Sequence, residues 1–443
     1  MAYQPPKHIL EVLQKIEFEE GLAPGDPRYV ETRLARGSQR THNRLARKFG
    51  LLLEEGKLFA PASKHVLFFG HTGCGKTTEL RHYAELFSGA ERFFVVELDI
   101  ISELDRNNLQ YADALMAMAR VLLEQLQQRA AGVGDTGLGE LESWFKERVL
   151  NEEQSKEFAT KISVGAKVKG GIPFLVDLFG QFTSAFKTNA TYKESMRTVV
   201  RNTFTQFSAA FNRFLRETEQ ALAERGLGKR VLFVIDGTDK MRRDDTRDFF
   251  LHNAEQLLAI EALVVYTAPL SLKYESTVGG KLDADLVLPM IRIDERDGTP
   301  FAEGRHAMRE ILLRRADLSL FAGEAQIGAL VEASGGHPRE LLRLLKLCCE
   351  ITESSVIDGA TTNAAMDALA ADFRRFLEPE DYDLLASIDT DPAHAGNDER
   401  TRRLLYNLAL LEYNDGSWRR SHPAVRRLEG YALALGRIRG APG

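Results

Sequence analysis

The sequence predicts an α/β fold in which a parallel sheet is covered by helices on both faces. Three observations predict it. Apolar strands recur between helical stretches from His65 to Ile293. One of them runs into a glycine-rich loop and then a helix, and another, apolar throughout, ends in an aspartate. Strands that alternate with helices pair in parallel, because each crossover helix returns the chain to the same end of the sheet.

Size and composition frame that fold. At roughly 100–200 residues per domain, 443 residues suggest two to four domains. A chain that is 44% hydrophobic and 28% charged can bury a core, which excludes global disorder. A net charge of −6 argues against a general basic coat for nucleic acid but leaves room for a local basic patch. Three cysteines, two of them the adjacent Cys348 and Cys349, cannot build a disulfide framework. The expectation is a reducing compartment and a cytoplasmic location. No run of apolar residues is long enough for a signal peptide or a membrane span, so no membrane partner is expected.

The core elements follow in order. His65–Phe69 is a short buried strand. After it, Gly70-His71-Thr72-Gly73-Cys74-Gly75-Lys76-Thr77-Thr78 matches G-x-x-x-x-G-K-[ST] at every fixed position, and a helical pattern continues to Leu86. Glycines let backbone N–H groups curl around phosphates, and the helix start adds partial positive charge. Gly70 to Thr78 is therefore expected to hold the phosphates of ATP. Lys76 would reach the β and γ groups, and the Thr77 hydroxyl would ligate Mg²⁺. Cys74 is a small filler rather than a redox sensor. The strand Arg92–Leu98 and the helical stretch Leu109–Arg129 come next.

Arg230–Ile235 then forms a buried strand with Asp236 at its carboxyl end, where open α/β sheets bind ligands. Asp236 is assigned to magnesium. Gly237 takes the next position, so Asp239 is the candidate for polarising the attacking water; helix capping is its plainer role. With Lys76 they make the expected catalytic set. After a helical stretch Asp245–Ala259, strand Ala262–Thr267 ends in a threonine that either senses the γ-phosphate or is a polar strand end. Strand Leu286–Ile293 completes the sheet. A strand inserted between the phosphate loop and the Asp236 strand suits an additional-strand P-loop ATPase.

On GHTGCGKTTEL, VLFVIDGTDK and Ser334-Gly335-Gly336-His337-Pro338-Arg339-Glu340-Leu341, the chain resembles AAA+-like ATPases, and within them the STAND signal-transduction NTPases. The resemblance runs from Val66 to Leu345, with a gap in the middle. It implies a P-loop NTPase three-layer core, a helical lid, and a GxP motif that places Pro338 near the nucleotide. Arg339, at the start of the same helix, could reach a phosphate; a plain helix–turn–helix is the alternative. Lys240 stands where that family commonly has Glu, which puts fast hydrolysis in doubt. The resemblance further implies an ATP-hydrolysing switch that regulates a partner, with roles such as bacterial anti-phage defence. The partner is a homo-oligomer or a separately encoded effector or sensor, and Arg314 and Arg315 are candidates to act across a subunit boundary. Two other functions stay open: a DNA-acting ATPase similar to replication initiators or transposition helpers, and a nucleotide-binding scaffold without significant hydrolysis.

The expected layout is an N-terminal helical region (1–60), the ATPase core (61–298) with an insert at about 131–226, a lid (299–370) and a winged-helix-like domain (371–443). In the first region, helical patterns cover Ile9–Glu20 and His42–Glu55. Arg33, Arg36 and Arg40 lie between them and face solvent, the adenine side or a neighbouring subunit. Within the insert, Ala131–Gly137 is a flexible joint. Ile162–Lys169, Gly170-Gly171 and Ile172–Val176 signal a hairpin or a strand–turn–helix, either a flap or a partner surface. Tyr192–Glu224 is one long helical pattern with an apolar stripe through Met196, Val200, Phe204, Phe207, Phe211, Phe214 and Leu215. The carboxyl-terminal helices Asp381–Ile388 and Glu399–Glu412, a turn at Asn414–Gly416, strand Ser417–Arg420 and a final helix outline a winged helix. From Asp398 onward nine arginines face five acids. Arg400, Arg402 and Arg403 on one helix, with Arg419 and Arg420 on the wing, would make a nucleic-acid surface, although protein contact is the favoured use.

Overall fold

The computed structural model describes residues 3–37, 41–62, 64–104, 109–129, 135–148, 172–173, 175–176, 180, 190–275, 280–391 and 396–440. Three helices open the chain: α1 (Ile9–Lys15), α2 (Arg33–Arg36) and α3 (Thr41–Lys48). A small hairpin follows, β1 (Leu51–Leu52) with β2 (Lys57–Leu58). The main sheet holds β3 (His65–Gly70), β4 (Phe93–Asp99), β5 (Arg230–Asp236), β6 (Leu263–Pro269) and β7 (Ala284–Val287) in the order β4-β5-β6-β3-β7. Every pairing is parallel. The α/β fold class is as expected, and β6 separates the phosphate-loop strand from the Asp236 strand.

Alternation along each strand builds two apolar layers. Val66 and Phe68 join Leu232, Val234, Leu263 and Val265 on one face, under Leu80, Tyr83 and Phe87 of α4 (Lys76–Phe87). Leu67 and Phe69 join Phe233, Ile235, Val264 and Tyr266 on the other, against α5 (Tyr111–Gln128). Every residue of β3 and β6 is buried, which is why both strands are predominantly apolar.

Several boundaries differ from the sequence reading, each for a local reason. The last strand stops at Val287 instead of Ile293. Leu288 N–H still reaches Phe69 O at 2.8 Å, but Pro289 has no N–H to continue the ladder. The helical stretch Asp245–Ala259 is broken by a π turn at Asp248–His252, which buries Phe249, Phe250 and Leu251 together. The pattern Tyr192–Glu224 divides into α7 (Ala190–Asn202) and α8 (Phe204–Glu224) at Thr203. There the Thr203 hydroxyl donates to Val199 O at 2.7 Å. Six of the seven stripe residues are buried, Phe204 being the exception, so the stripe is core. The first helix ends at Lys15, and residues 16–22 run on without regular structure.

Asp135, Thr136 and Gly137 start a helix, α6 (Asp135–Arg148), instead of a flexible joint. A Cβ on Gly137 would lie 2.7 Å from Phe214 Cα, so glycine is what lets α6 meet α8. Residues 131–134 and the expected arm 162–171 lie outside the described residues. Ile172, Pro173, Leu175 and Val176 are helical.

After the sheet come α9 (Ala302–Leu313), α10 (Glu324–Ala333), α11 (Pro338–Ile351) and α12 (Gly359–Arg374). The last part holds α13 (Pro379–Thr390), α14 (Glu399–Tyr406), the antiparallel pair β8 (Leu410–Tyr413) and β9 (Trp418–Ser421), α15 (Pro423–Arg426) and α16 (Glu429–Gly440). Glu399–Glu412 is thus not one helix. Leu408, at φ 61°, turns the chain out of α14 into β8. Among the described residues no helix is long and apolar enough to cross a membrane.

Candidate nucleotide-binding site

The loop between β3 and α4 takes its shape from glycines. Gly73 and Gly75 sit at φ 86° and 104°, in the left-handed region that side chains disfavour. A Cβ on Gly73 would also lie 2.7 Å from Arg339 Nε.

Lys76 is buried. Its Nζ donates to Gly70 O at 3.0 Å and His71 O at 2.9 Å and lies 2.7 Å from Asp239 Oδ2. Burial works to lower its pKa, but Asp239 outweighs it and leaves the ammonium above its ordinary value. Burial would raise Asp239, yet the Lys76 charge holds that carboxyl below its usual range. Asp239 lies on the short turn Thr238–Lys240 after β5. Thr267 braces that turn: its carbonyl accepts from the Thr238 hydroxyl, and the two hydroxyl oxygens are 3.3 Å apart.

Thr77 Oγ1 donates to Asp236 Oδ2 at 2.6 Å, across 159 residues of sequence. Asp236 Oδ1 is buried with no hydrogen-bond partner. Burial, then the Asp239 charge, pushes the Asp236 carboxyl above its ordinary pKa. A hydroxyl and a carboxylate side by side, with one carboxylate oxygen unclaimed, fit a hard cation that keeps most of its own water. The residues present therefore suit Mg²⁺. Among the described residues no group of three or more His, Cys, Asp or Glu forms a cage for another metal.

The start of α11 and the carboxyl-terminal hairpin both touch the loop. His337 caps α11 by accepting from Glu340 N–H at 3.3 Å, and its Nε2 donates to Thr72 O at 3.0 Å. Pro338 occupies the first turn of α11, and it lines the cleft together with Arg339. Glu412 N–H of β8 donates to His71 Nε2 at 2.9 Å, and the Tyr413 hydroxyl to Gly335 O at 2.7 Å. Burial, then the nearby Lys76 charge, pushes His71 down to about 3, so the ring stays neutral and can accept.

The structure thus brings Lys76, Thr77, Asp239, Pro338 and Arg339 to one cleft, with Asp236 hydrogen-bonded to Thr77. Thr78 is at its edge, where its hydroxyl accepts from Leu22 N–H at 3.1 Å. His71 and Cys74 have buried side chains, so only their backbone is available to phosphates. Arg36 underpins the loop from below: it donates to Cys74 O and Pro289 O, both at 2.7 Å. The sequence marked Arg36 only as part of a basic stretch. Arg33 pairs with Glu31 at 2.6 Å, and Arg40 lies outside the described residues.

Both sets of candidate arginines have partners within the chain. Arg314 donates to Pro27 O at 2.9 Å and Arg315 to Ile311 O at 3.0 Å, so both are engaged within their own chain. The carboxyl-terminal arginines are also paired internally. Arg400 meets Asp381 at 3.5 Å, Arg402 meets Glu399 at 2.9 Å and Arg403 meets Asp381 at 2.7 Å. Arg419 is buried against Glu412 at 2.8 Å, and Arg420 donates to Arg296 O at 3.3 Å. Acids spaced far away in sequence, such as Asp381, neutralise a face that a local count shows as basic.

A phosphate loop leaving an interior parallel strand, with an aspartate ending the strand two places along the sheet, beyond β6, defines a P-loop NTPase core. No protein-family model and no curated protein matches the sequence. Solved structures with overall likeness include a point variant of RuvB from Thermotoga maritima, 13% identical, covering 92% of this chain and 96% of that one, TM-score 0.34. A Walker-type ATPase of Pyrococcus abyssi is 13% identical over 96% and 99%, with TM-score 0.40. The ORC1 protein of Aeropyrum pernix, in complex with DNA, is 15% identical over 94% and 95%, with TM-score 0.35. At these scores the likeness adds nothing to what the sheet and loop define by themselves.

Proposed function

We propose that the chain is an ATP-binding and ATP-hydrolysing switch of the AAA+ kind, working with Mg²⁺ in a reducing compartment. The observation that carries the reading is the convergence of Thr77, Asp236, Lys76 and Asp239 from two distant motifs. Mg²⁺, held by Thr77 and Asp236, would supply charge neutralisation on the phosphates. Lys76 binds the β and γ phosphates once they replace its present acceptors. Asp239, freed from Lys76 by the same exchange, orients and deprotonates the attacking water. Thr267 fixes the turn that carries Asp239, and Arg339 supplies positive charge from the lid.

The switch follows from what grips the loop. Phosphates that reorder Gly70–Thr78 act directly on His337 of α11 and on the backbone of β8. The lid at 299–370 and the winged-helix-like part at 371–443 are thereby the moving bodies, and a homo-oligomer or a separate effector is the recipient. The internally paired arginines give the DNA-acting alternative no support. The phage-defence role implied by the STAND resemblance has no feature behind it and is not part of the reading. Replacing Lys76 with Ala is expected to abolish both ATP binding and phosphate release in a folded protein; retention of both would refute the proposal.

A further inference from the structure

The segment 16–22, between α1 and the arginine-bearing stretch, crosses the mouth of the nucleotide cleft. Glu19 stands at its centre. One carboxylate oxygen lies 2.9 Å from Lys240 Nζ and the other 2.9 Å from Arg339 Nη2. These cations come from opposite walls, Lys240 from the turn that carries Asp239 and Arg339 from the lid helix α11. The backbone of the same segment is seated on α4. Leu22 N–H donates to Thr78 Oγ1, and the Arg81 guanidinium donates to Gly21 O. A Cβ on Gly21 would come within 2.2 Å of Thr77 Cγ2, so only glycine permits this approach to the residue assigned to magnesium.

What remains of the cleft is a cavity of about 110 Å³ lined by Phe18, Glu19, Lys76, Thr77, Asp239 and Arg339. Small-molecule sites occupy roughly 300–1,000 Å³. A nucleoside triphosphate therefore cannot enter while the segment lies where it does.

Resting on the nucleotide-binding reading above, we infer that Glu19 is an internal surrogate for the terminal phosphate. It pairs the two cations meant for that phosphate and keeps the segment 16–22 closed over the cleft until nucleotide displaces it. The chemistry matches: a carboxylate and a phosphoryl group are both anions with oxygens spaced to bridge two cationic donors. The burial of Glu19 works to raise its pKa, but hydrogen bonding to Lys240 and the Arg339 and Lys240 charges outweigh it, so the group is ionised at neutral pH. Its side chain is 66% exposed, and ion pairs reaching that far into solvent exchange readily. The assignment gives Lys240 a use that explains its place after Asp239. It serves as a phosphate-side cation, where the resembled family has an acid.

The test uses the full chain with a fluorescent ATP analogue and Mg²⁺, in wild type, Glu19→Gln and Lys76→Ala. The surrogate reduces apparent affinity by the fraction of molecules that are open. Glu19→Gln should therefore tighten binding of the triphosphate by about tenfold, and of the diphosphate analogue by less. Hydrogen exchange over residues 16–22 should accelerate in wild type when the ATP analogue is added. Equal affinity in wild type and Glu19→Gln, or unchanged exchange over 16–22, overturns the inference. Binding that requires Lys76 but ignores Glu19 removes the surrogate and leaves the nucleotide site intact. Absence of any Lys76-dependent binding removes both.

Discussion

Lys76 has three acceptors, two carbonyls of its own loop and the Asp239 carboxylate. An ammonium so satisfied is kept charged inside the protein, and phosphates must take over all three contacts. In the proposed reaction Asp239 is held in the same exchange and acts on water only once Lys76 turns away. Converting it to Asn keeps the shape and removes both the charge and the base. The Asp239→Asn protein should bind ATP at least as well as wild type, while phosphate release falls by about 10²–10⁴-fold, the usual contribution of a positioned base. Equilibrium binding and a phosphate-release assay on the same preparation check the two halves of this expectation. Arg36 offers a contrast. It touches no expected ligand position, yet Arg36→Met would strip the buried Cys74 and Pro289 carbonyls of their donor. That costs about 1–3 kcal/mol for each acceptor left unpaired. Denaturant unfolding should report the loss, accompanied by weaker nucleotide binding from a loosened loop.

At the level of elements, α7 is joined to α5 by a buried pair. Arg197 of α7 reaches Asp113 of α5, with Nε at 3.0 Å from Oδ1, and both side chains are almost wholly buried. Asp113 also accepts from Gln110 N–H at 3.1 Å and so caps its own helix. Arg197→Met leaves a carboxylate without its cation and should destabilise the fold by about 3–5 kcal/mol in urea unfolding. The sheet and the phosphate loop were legible in the sequence because burial on both faces leaves an apolar run in the middle of β3, β5 and β6. Loop and strand are also contiguous in sequence. The segment 16–22 was not legible: the apolar spacing of Ile9–Glu20 continues a helical pattern past Lys15, while the contacts that pull the chain straight belong to α4, Lys240 and Arg339. The hydrogen bond from Glu412 to His71 spans 341 residues and leaves no local signature. Pro338 and Arg339 were found because the capping residue, the proline and the arginine are neighbours in one short motif.

Across the molecule, three buried histidines gather where the phosphate loop, α11 and the β8–β9 hairpin meet. Burial leads in lowering each of them, with nearby positive charge adding to it. His71 and His422 are pushed down to about 3, and His337 falls well below its ordinary value. Each folded-state pKa lies below the unfolded one, so the unfolded chain takes up protons first as pH drops. Stability is fully present above about pH 6.5 and declines below it, by about 1.4 kcal/mol per pH unit for each such histidine. The urea midpoint should be flat between about pH 8 and 7 and fall steeply toward about pH 5. His422→Gln should make that fall shallower, and an unchanged slope would remove His422 from the account.

The strand order also sets a timetable for the ribosome. β3 is complete at Gly70, but both of its neighbours, β6 at Leu263–Pro269 and β7 at Ala284–Val287, are made far later. At about 5–20 residues per second, the delay is roughly 10–40 s. Through that interval a largely apolar strand has neither of its ladders, and its loop lacks Asp236 for most of the time and α11 throughout. The nascent chain is thus most in need of a chaperone in its first third, and the nucleotide cleft is among the last features of the protein to exist.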